Sequence, residues 1–444
     1  MQTLVWSLVL ASQAMTIVGF WFWNHLHHPL GNQLVGDATG QLLAWGRLAG
    51  LLAAFGILFQ LLLIGRVRWV ERVFGLDRLT RLHHGVGFFL VVFLLAHPVL
   101  VAMGHARQAD VSGFAQFVDF CRNWNDVLAA TIGLAMLLAA VALSVAIVRR
   151  RLRYEVWHVT HLTIYLALAL AFIHPLTVGT DLVGNRWFRG YWIALYAFAF
   201  LNLIGYRVLR PIWMCRRHRF EVAALTPESA DVTSVAIRGR HLDKMRVQSG
   251  QFVLVRFLAP GFRWEAHPFS ISRPPDGREI RLTIKQLGDY TRRIPRLPVG
   301  TPAILDGPHG IFTARRARAG RVLMIAGGIG ITPIRSVAED LLAAGRDVVL
   351  LYANRNRASI VFIDELERLA ATGRLRVVHV LSHDPDWPGE RGFLDGVRLC
   401  RLAPDLLERD IYLCGPPPMM RAVRTALRTA GVPSRRIFFE RFAL

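Results

Sequence analysis

Four histidines lie in two strongly apolar segments of this chain, and their side chains are well suited to binding a redox metal. They form two pairs, His83 with His97 and His161 with His174. Neutral imidazole is a common metal ligand, and two of them leave a haem iron six-coordinate and suited to electron transfer. The members of a pair are 14 or 13 residues apart, about 20 Å along a helix and most of a hydrocarbon core. Two such helices predict two haems stacked across a bilayer.

The angular spacing of the two pairs differs. On an ideal helix the first pair is about 40° apart, whereas the second is about 140° apart, a poor fit to one ligand face. A proline follows each outer histidine and can distort the turn before it: Pro98 and Pro175. His84 and His158 are alternative ligands at the inner positions. A lone membrane histidine could instead bond a neighbouring helix or line a proton path, but two inner and two outer histidines favour haem ligation.

The elements that must position these histidines are apolar stretches of about 20 residues, long enough to cross a membrane. There are six, near 4–23, 42–65, 82–104, 127–148, 157–176 and 189–208. The first has no Lys or Arg before it, as a cleaved signal peptide would, so we interpret it as a retained helix.

Arginines predict the orientation of these spans. They are concentrated in alternate connections, at 66–81, at 149–153 and after 206. The positive-inside rule then places both termini, and everything after residue 210, in the cytoplasm of a bacterial inner membrane. His83 and His161 are predicted near the inner face, and His97 and His174 near the outer face.

Composition agrees with a membrane protein that has a soluble part, because 53% of the residues are hydrophobic and only 19% are charged. The net charge of +22 does not indicate nucleic-acid binding, since Lys244 and Lys285 are the only lysines and a general arginine bias explains the excess. The four cysteines are widely scattered, which argues against zinc and iron–sulfur sites.

Short alternating apolar runs replace the long ones from about residue 219. They predict an antiparallel β-barrel at Phe220–Ala224, Val232–Ile237, Phe252–Phe257 and Ile280–Ile284. Two motifs lie in or beside these strands. In His267-Pro268-Phe269-Ser270 an aromatic next to a hydroxyl could stack on a flat ring and bond one of its polar atoms. Lys285 and the turn Gly288-Asp289-Tyr290-Thr291 could hold a pyrophosphate.

A strand, a glycine turn and a helix follow from residue 320. The strand Arg321–Ala326 leads into Gly327-Gly328-Ile329-Gly330-Ile331-Thr332-Pro333, whose backbone amides could approach a phosphate at the helix N-terminus. A second strand, Val348–Tyr352, precedes Arg355 and Arg357, which favour a 2′-phosphate and hence NADPH over NADH. A later strand ends in Cys414-Gly415-Pro416, where an α/β ligand crevice should open.

Taken in order, these motifs and the terminal Glu440-Arg441-Phe442 resemble the ferredoxin–NADP reductase superfamily. Joined to a six-helix, four-histidine domain, they resemble the ferric reductase and NADPH oxidase superfamily in its bacterial form. The resemblance implies a transmembrane domain with two b-type haems (1–215), an FAD-binding β-barrel (216–316) and an NAD(P)-binding α/β domain (317–444).

The resemblance also implies roles for the matching positions. Phe269 would stack on the isoalloxazine of FAD, and Ser270 would hydrogen-bond near its reactive nitrogen. The FAD phosphates would be held by His267, Lys285 and Thr291. The pyrophosphate of the nicotinamide nucleotide would be held by Gly327, Gly328, Gly330 and Thr332. Cys414 would lie by the nicotinamide ring, and Phe442 would cover the flavin until nicotinamide displaces it.

The implied activity is electron transfer from cytoplasmic NADPH to an extracytoplasmic acceptor, either a ferric chelate, oxygen or a redox protein. Oxygen-reducing members carry polar residues beside the outer haem, but Val101 stands one turn beyond His97, and Arg186 or His105 would have to substitute. A cluster of His25, His27 and His28 in the first outer loop could dock a metal ion. The alternatives are an electron-donating subunit for a periplasmic or quinone-linked partner and a non-enzymatic haem-bearing sensor.

Overall fold

A computed structural model describes residues 2–27, 34, 37–145 and 154–441. It divides into two compact units. The first consists of Met1–Phe74 and Arg78–Tyr206, and the second of Gly75–Asp77 and Arg207–Leu444.

In its described residues the N-terminal half consists of helices joined by short connections. Its helices are α1 (Gln2–Leu26), α2 (Ala38–Ile64), α3 (Arg68–Phe74), α4 (Leu76–Ala109), α5 (Gly113–Asn123), α6 (Val127–Ser144), α7 (Tyr154–Leu162), α8 (Ile164–Phe172), α9 (His174–Thr177), α10 (Thr180–Val183) and α11 (Arg186–Ile204). Within the described residues, six segments are long and apolar enough to cross a membrane: Trp6–Leu26, Ala38–Ile64, Arg78–Ala109, Val127–Ser144, Val156–Thr177 and Arg186–His218. They coincide with the six predicted stretches, which are confirmed.

The fifth span is broken into three pieces. Pro175 has no backbone N–H to donate, and a new short helix begins at His174 immediately before it. A second break, which the sequence did not predict, lies at Thr163, whose hydroxyl donates to the Thr160 carbonyl oxygen at 2.7 Å. By contrast, α4 continues through Pro98 without a break. The two histidines of the fifth span therefore do not lie on one ideal helix, and the 140° mismatch does not apply to them.

Helix α2 packs closely against α4 because two of its glycines present no side chain. A Cβ on Gly46 would lie 2.9 Å from a methyl group of Val101, and one on Gly50 would lie 2.6 Å from His97 Nδ1. Small residues four apart commonly allow membrane helices to approach in this way. This approach brings the backbone of α2 up to the His97 ring.

The second unit begins with α12 (Arg210–His218), which leads into two three-stranded antiparallel sheets, β1-β2-β5 and β4-β3-β6. Their strands are β1 (Glu221–Ser229), β2 (Val232–Arg238), β3 (Phe252–Phe257), β4 (His267–Ser270), β5 (Glu279–Lys285) and β6 (Ala303–His309). The bridges Ile271–Leu282 and Glu221–Pro302 join the two sheets at both edges, which is the cyclic strand order of a barrel. Buried side chains of both sheets share one apolar core. The predicted antiparallel architecture is confirmed.

The C-terminal part is a six-stranded parallel sheet in the order β10-β9-β8-β7-β11-β12. Its strands are β7 (Arg321–Gly327), β8 (Asp347–Asn354), β9 (Leu375–Leu381), β10 (Glu390–Arg391), β11 (Asp410–Cys414) and β12 (Ile437–Glu440). Helices α14 (Ile331–Ala343) and α15 (Ile363–Ala370) cover one face, and α16 (Gly396–Leu402) and α17 (Pro417–Thr429) cover the other. The chain reverses direction across the sheet between β7 and β11, and ligands of such folds bind outside the carboxyl ends of the strands at this point.

Candidate functional sites

The structure brings the four predicted histidines together as two pairs in the helical unit. The ring centroids of His83 and His161 are 6.2 Å apart, and those of His97 and His174 are also 6.2 Å apart. Imidazole nitrogen binds metals at about 2.0–2.1 Å, so two rings on opposite sides of one ion have their centres about 6 Å apart. Both pairs therefore have the separation at which two imidazoles could bind one metal ion.

Three of the four rings are oriented by oxygen atoms at Nδ1. His97 Nδ1 lies 2.9 Å from the Gly46 carbonyl oxygen, and His174 Nδ1 lies 2.7 Å from the Ala171 carbonyl oxygen. A carbonyl oxygen only accepts, so Nδ1 carries the proton and the lone pair of Nε2 is left for a metal. Metal-binding histidines are generally held in this tautomer by such a partner.

His161 acquires the same tautomer from Ser144. The Ser144 hydroxyl donates to the Ala140 carbonyl oxygen at 2.7 Å and accepts from Trp157 Nε1 at 3.1 Å. Its single proton is thus already used, so the contact of 3.2 Å with His161 Nδ1 is an N–H donation to the serine oxygen. Sequence reasoning missed Ser144, because nothing in the chain marks a serine 17 residues upstream as a partner of His161.

The inner alternatives occupy different surroundings from the paired rings. His84 is exposed, whereas His83 is partly buried. The Nδ1 atom of His83 has no hydrogen-bond partner among the described residues. The ring of His158 lies against Trp157 at 6.4 Å, while the Trp157 ring stacks on His161 at 5.2 Å. The ring of His83 lies 6.0 Å from that of its chain neighbour His84 and 6.2 Å from that of His161, and the contact with His161 is the one that joins two different spans.

The outer pair lines a cavity of about 300 Å³. Its wall includes Val101, His105, Arg47 and Asp181 beside the two histidines. Of the two residues proposed to supply polarity here, His105 is in the wall, whereas Arg186 is exposed and lies over the Trp187 ring. Arg47, which the sequence analysis missed, lies on α2 three residues before Gly50.

The cluster of His25, His27 and His28 does not form a single solvent-facing metal site in the described residues. His25 is only 1% exposed, and its Nδ1 lies 2.7 Å from the Trp21 carbonyl oxygen. His27 is exposed and stacks on Trp23. Because one ring faces inward and the other outward, a metal ion docking from solvent cannot use both. His28 lies outside the described residues.

The two motifs of the barrel meet through their rings. His267 and Pro268-Phe269-Ser270 form β4, and the His267 ring lies 4.0 Å from the ring of Tyr290 at the start of α13 (Asp289–Arg293). Phe269 is half-buried and Ser270 almost wholly buried. An aromatic face beside a hydroxyl, close to a glycine turn, fits a flavin and its phosphates.

The predicted phosphate-binding side chains have partners within the protein. His267 Nε2 lies 3.0 Å from Glu265, and Lys285 Nζ lies 3.1 Å from Asp231. The Thr291 hydroxyl accepts from the Gly288 backbone N–H at 3.0 Å, which holds the turn in shape. A pyrophosphate would therefore compete with Glu265 for His267 and with Asp231 for Lys285.

The glycine turn after β7 and the loop after β11 touch each other at the switch point of the sheet. A Cβ on Gly330 would lie 2.3 Å from the Cys414 carbonyl oxygen, and one on Gly327 would lie 2.6 Å from Met419 Sδ. The turn ends at the N-terminus of the 13-residue helix α14, where backbone amides and the helix dipole favour an anion. The Thr332 hydroxyl donates to the Ile329 carbonyl oxygen at 3.0 Å and closes this turn, and Pro333 is buried in the first turn of the helix.

Cys414 lies at the carboxyl end of β11 and is fully buried. Burial, reinforced by the Glu440 carboxylate, raises the pKa of its thiol well above the ordinary value. Cys414 pairs with Glu440 in the parallel register of β11 and β12, so sequence reasoning missed a carboxylate beside the predicted nicotinamide site. Gly415 and Pro416 continue from Cys414 into the contact with Gly327. Phe442 lies outside the described residues.

Arg355 and Arg357 are exposed and follow β8 directly. The backbone N–H of Arg357 donates to Asp384 at 3.0 Å, and the carbonyl oxygen of Arg355 accepts from the His383 backbone N–H at 2.7 Å. The main chain of this loop is thus fixed while both guanidinium groups extend into solvent.

Comparison with known proteins gives three family matches in chain order. Residues 49–172 match the ferric reductase like transmembrane component, residues 217–301 an FAD-binding domain, and residues 324–425 the oxidoreductase NAD-binding domain. The chain is therefore an integral membrane protein with modules for FAD and for a nicotinamide nucleotide. This combination is the architecture of the ferric reductase and NADPH oxidase superfamily.

Individual relatives are similar to about half of this chain. The reductase component DmpP of phenol 2-monooxygenase from Pseudomonas sp. (strain CF600) is 34% identical over 47% of this chain and 62% of its own length. The ferredoxin reductase component of 3-ketosteroid-9-alpha-monooxygenase from Mycolicibacterium smegmatis is 32% identical over 50% of this chain and 64% of its own length. This chain thus spans less than two thirds of either relative. A solved ferredoxin reductase of carbazole 1,9a-dioxygenase is 29% identical, with a TM-score of 0.44, over 51% of this chain and 69% of its own.

Proposed function

We propose that this protein is a transmembrane oxidoreductase that takes a hydride from NADPH in the cytoplasm and delivers single electrons to an acceptor on the other side. FAD and two b-type haems are the resident cofactors. When bound, the flavin converts a two-electron donor into single electrons, and haem iron carries one electron at a time. The activity is an oxidoreductase activity of the ferric reductase or NADPH oxidase type.

The observation that carries the proposal is the pairing of the four histidines. His83 meets His161 and His97 meets His174, each at 6.2 Å between ring centroids. On α4, His83 and His97 are 14 residues apart, which is about 20 Å along the helix axis. Two metal positions on one path across the bundle are difficult to explain by helix packing alone.

The protein supports the chemistry by binding and orientation, with no side chain acting as acid, base or nucleophile. Phe269 would stack on the flavin ring and Ser270 would hydrogen-bond to it. Cys414, kept as a neutral thiol by burial, would contact the nicotinamide without competing as a nucleophile. The closed turn at Gly327–Gly330 would hold the pyrophosphate of the nucleotide.

The arginines after β8 support NADPH rather than NADH. A guanidinium on a fixed loop pairs well with a 2′-phosphate, and hydrogen bonds to charged groups contribute about 1.5–3 kcal/mol. We expect Arg355→Ala to reduce the preference for NADPH over NADH, measured as the ratio of the two kcat/KM values, about 10- to 100-fold. An unchanged ratio would assign the selectivity elsewhere.

The acceptor is proposed to lie outside the cytoplasm, beside the cavity of the outer histidine pair. A ferric chelate or oxygen would be reduced directly there. A second candidate is a separate redox protein, favoured by the similarity to reductase components of oxygenases. An electron-donating role predicts slow reduction of oxygen and iron and faster turnover with the partner.

The deciding experiment mixes purified, cofactor-loaded protein with NADPH under anaerobic conditions and follows haem absorbance. The proposal predicts reduction of both haems, followed by reoxidation when a ferric chelate or oxygen is added. A haem-bearing sensor would not consume NADPH steadily with an added acceptor. Haem that NADPH cannot reduce would overturn the proposal.

A further inference from the structure

A buried ion-pair cluster connects the two lobes of the second unit, and its position suggests a role in the reaction. We call β1–β6 the barrel lobe and the parallel sheet with its helices the sheet lobe. Arg281 of β5 extends from the barrel lobe to Glu365 of α15 in the sheet lobe. Its two terminal nitrogens lie 2.5 and 2.9 Å from the two carboxylate oxygens. Such a two-pronged contact fixes angle as well as distance.

A second arginine completes the cluster from the nucleotide-binding helix. Arg335 of α14 lies 2.8 Å from Glu365 and 2.6 Å from Glu339, nitrogen to oxygen. The side chains are largely shielded from solvent, with 12% exposed for Arg281, 7% for Arg335 and 19% for Glu365. Burial alone would raise the pKa of Glu365, but hydrogen bonds from Arg281 and the charge of Arg335 outweigh it and lower that pKa. The carboxylate is therefore ionised.

The cluster also contacts the segment that directly follows β4, the strand of the flavin motif. The Ser272 carbonyl oxygen accepts from Arg281 at 3.2 Å and from Arg335 at 3.4 Å. Ser272 is two residues beyond Ser270, and Arg335 is one helical turn beyond Thr332. The segments proposed to hold the flavin and the nucleotide are thus joined through one arginine side chain.

Arg281 also positions the N-terminal start of α15. The guanidinium carbon of Arg281 lies 4.8 Å from the centre of the Phe362 ring. Phe362 precedes α15 in a left-handed conformation, with φ of 64°, and is buried. A non-glycine residue keeps such a backbone only when its surroundings hold it there, so Arg281 contacts both the start of α15 and the Glu365 carboxylate in its first turn.

We propose that Glu365, bound by Arg281 and Arg335, is a positioning residue that sets the distance between nicotinamide and flavin. This inference rests on the proposed hydride transfer from NADPH to FAD. Replacing a buried ion pair often costs no stability when the packing is preserved, so a purely stabilising role explains the cluster poorly. Reacting atoms must lie about 3–3.5 Å apart, and a misplacement of about 1 Å can slow a reaction about 100-fold.

The test uses the full-length, FAD-loaded protein and the variant Glu365→Gln, which keeps the shape and removes the charge. The rate of flavin reduction is measured anaerobically at saturating NADPH, together with the Kd for NADPH, the FAD content and Tm. We expect flavin reduction to slow about 10- to 100-fold while the Kd changes less than twofold. Electron transfer from photoreduced flavin to ferricyanide should remain at the wild-type rate, because it does not need the sheet lobe.

The matched control is Glu390→Gln. Glu390 also forms a two-pronged pair, with Arg401 at 2.8 and 2.6 Å, but both residues lie in the sheet lobe. This variant should reduce flavin at the wild-type rate. If Glu365→Gln does not fold, Arg281→Lys keeps the charge and loses the two-pronged contact, and it should slow flavin reduction about tenfold at unchanged FAD content.

Three outcomes are distinguishable. An unchanged rate of flavin reduction in the folded Glu365 variant overturns the inference. Slow reduction that is fully explained by lost FAD or a lower Tm also overturns it and assigns the cluster to stability. Wild-type protein whose flavin is not reduced by NADPH or NADH refutes the proposed function instead.

Discussion

Gly50→Ala adds one methyl group where α2 passes the outer histidine pair. The new Cβ would lie 2.6 Å from His97 Nδ1, whereas carbon and nitrogen atoms in ordinary contact are about 3.5–4.0 Å apart. The ring must therefore move by about 1 Å. The hydrogen bond from His97 to the Gly46 carbonyl oxygen, now 2.9 Å long, would then exceed the usual limit.

The energies favour loss of the outer metal site over loss of the fold. Overpacking costs about 1–3 kcal/mol, while alanine in place of glycine returns about 1 kcal/mol of helix propensity. Loss of an orienting partner lowers metal affinity about 10- to 100-fold. We expect the helical unit to fold with the inner haem in place and the outer haem missing, so that haem per chain falls from two to one.

The assay is the haem-to-protein ratio of the purified variant, combined with a redox titration that resolves the two haems. The matched control is Gly19→Ala in α1, where within the described structure an added Cβ meets no atom within 4 Å. That variant should retain both haems. Two haems with unaltered potentials in Gly50→Ala would refute the assignment of His97 as a ligand.

Three further predictions test the remaining sites. Ser144→Ala removes the hydrogen-bond acceptor of His161, and haem affinity should fall about 10- to 100-fold, measured by haem transfer to apomyoglobin. An unchanged haem affinity would contradict the assignment of His161 as a ligand. Gly330→Ala places a Cβ 2.3 Å from the Cys414 carbonyl oxygen and should cost about 1–3 kcal/mol in unfolding free energy, whereas Gly320→Ala, with open space around it among the described residues, should be neutral. Burial raises the pKa of the Cys414 thiol, so this thiol stays protonated at pH 8 and iodoacetamide should label the exposed Cys400 first. The free energy of unfolding should fall only as pH rises above the ordinary thiol pKa of about 8.5, because there the Cys414 thiol ionises in the unfolded chain but not in the folded one. Rapid labelling of native Cys414 would refute that environment.

Length and composition predicted the six spans, because a membrane helix needs about 20 apolar residues whatever its neighbours are. The parallel and antiparallel sheets were also predictable, since period-2 runs and strand–turn–helix units are local patterns. Helix periodicity was misleading for His161 and His174, because the break at Thr163 depends on a hydroxyl-to-carbonyl bond that many threonines could make.

The partners of the candidate ligands were not predictable. Gly50 and Ser144 act on histidines 47 and 17 residues away, and only the packing of helices defines those contacts. The same holds for Glu440, which reaches Cys414 through a parallel strand pair. Such long-range neighbours leave no local pattern in one sequence.

The broken fifth span has a consequence for the life of the protein in the cell. Helix breaks leave backbone groups without the usual partners, which is costly in lipid, so this span is where local opening should begin. His161 and His174 lie on either side of the Thr163 break, and on the proposed ligation haem joins the pieces that carry them to α4, the third span. A ligand present at 1,000 times its Kd stabilises the state that binds it by about 4 kcal/mol. Haem supply would then govern how much of the protein escapes proteolysis, in addition to how much of it is active.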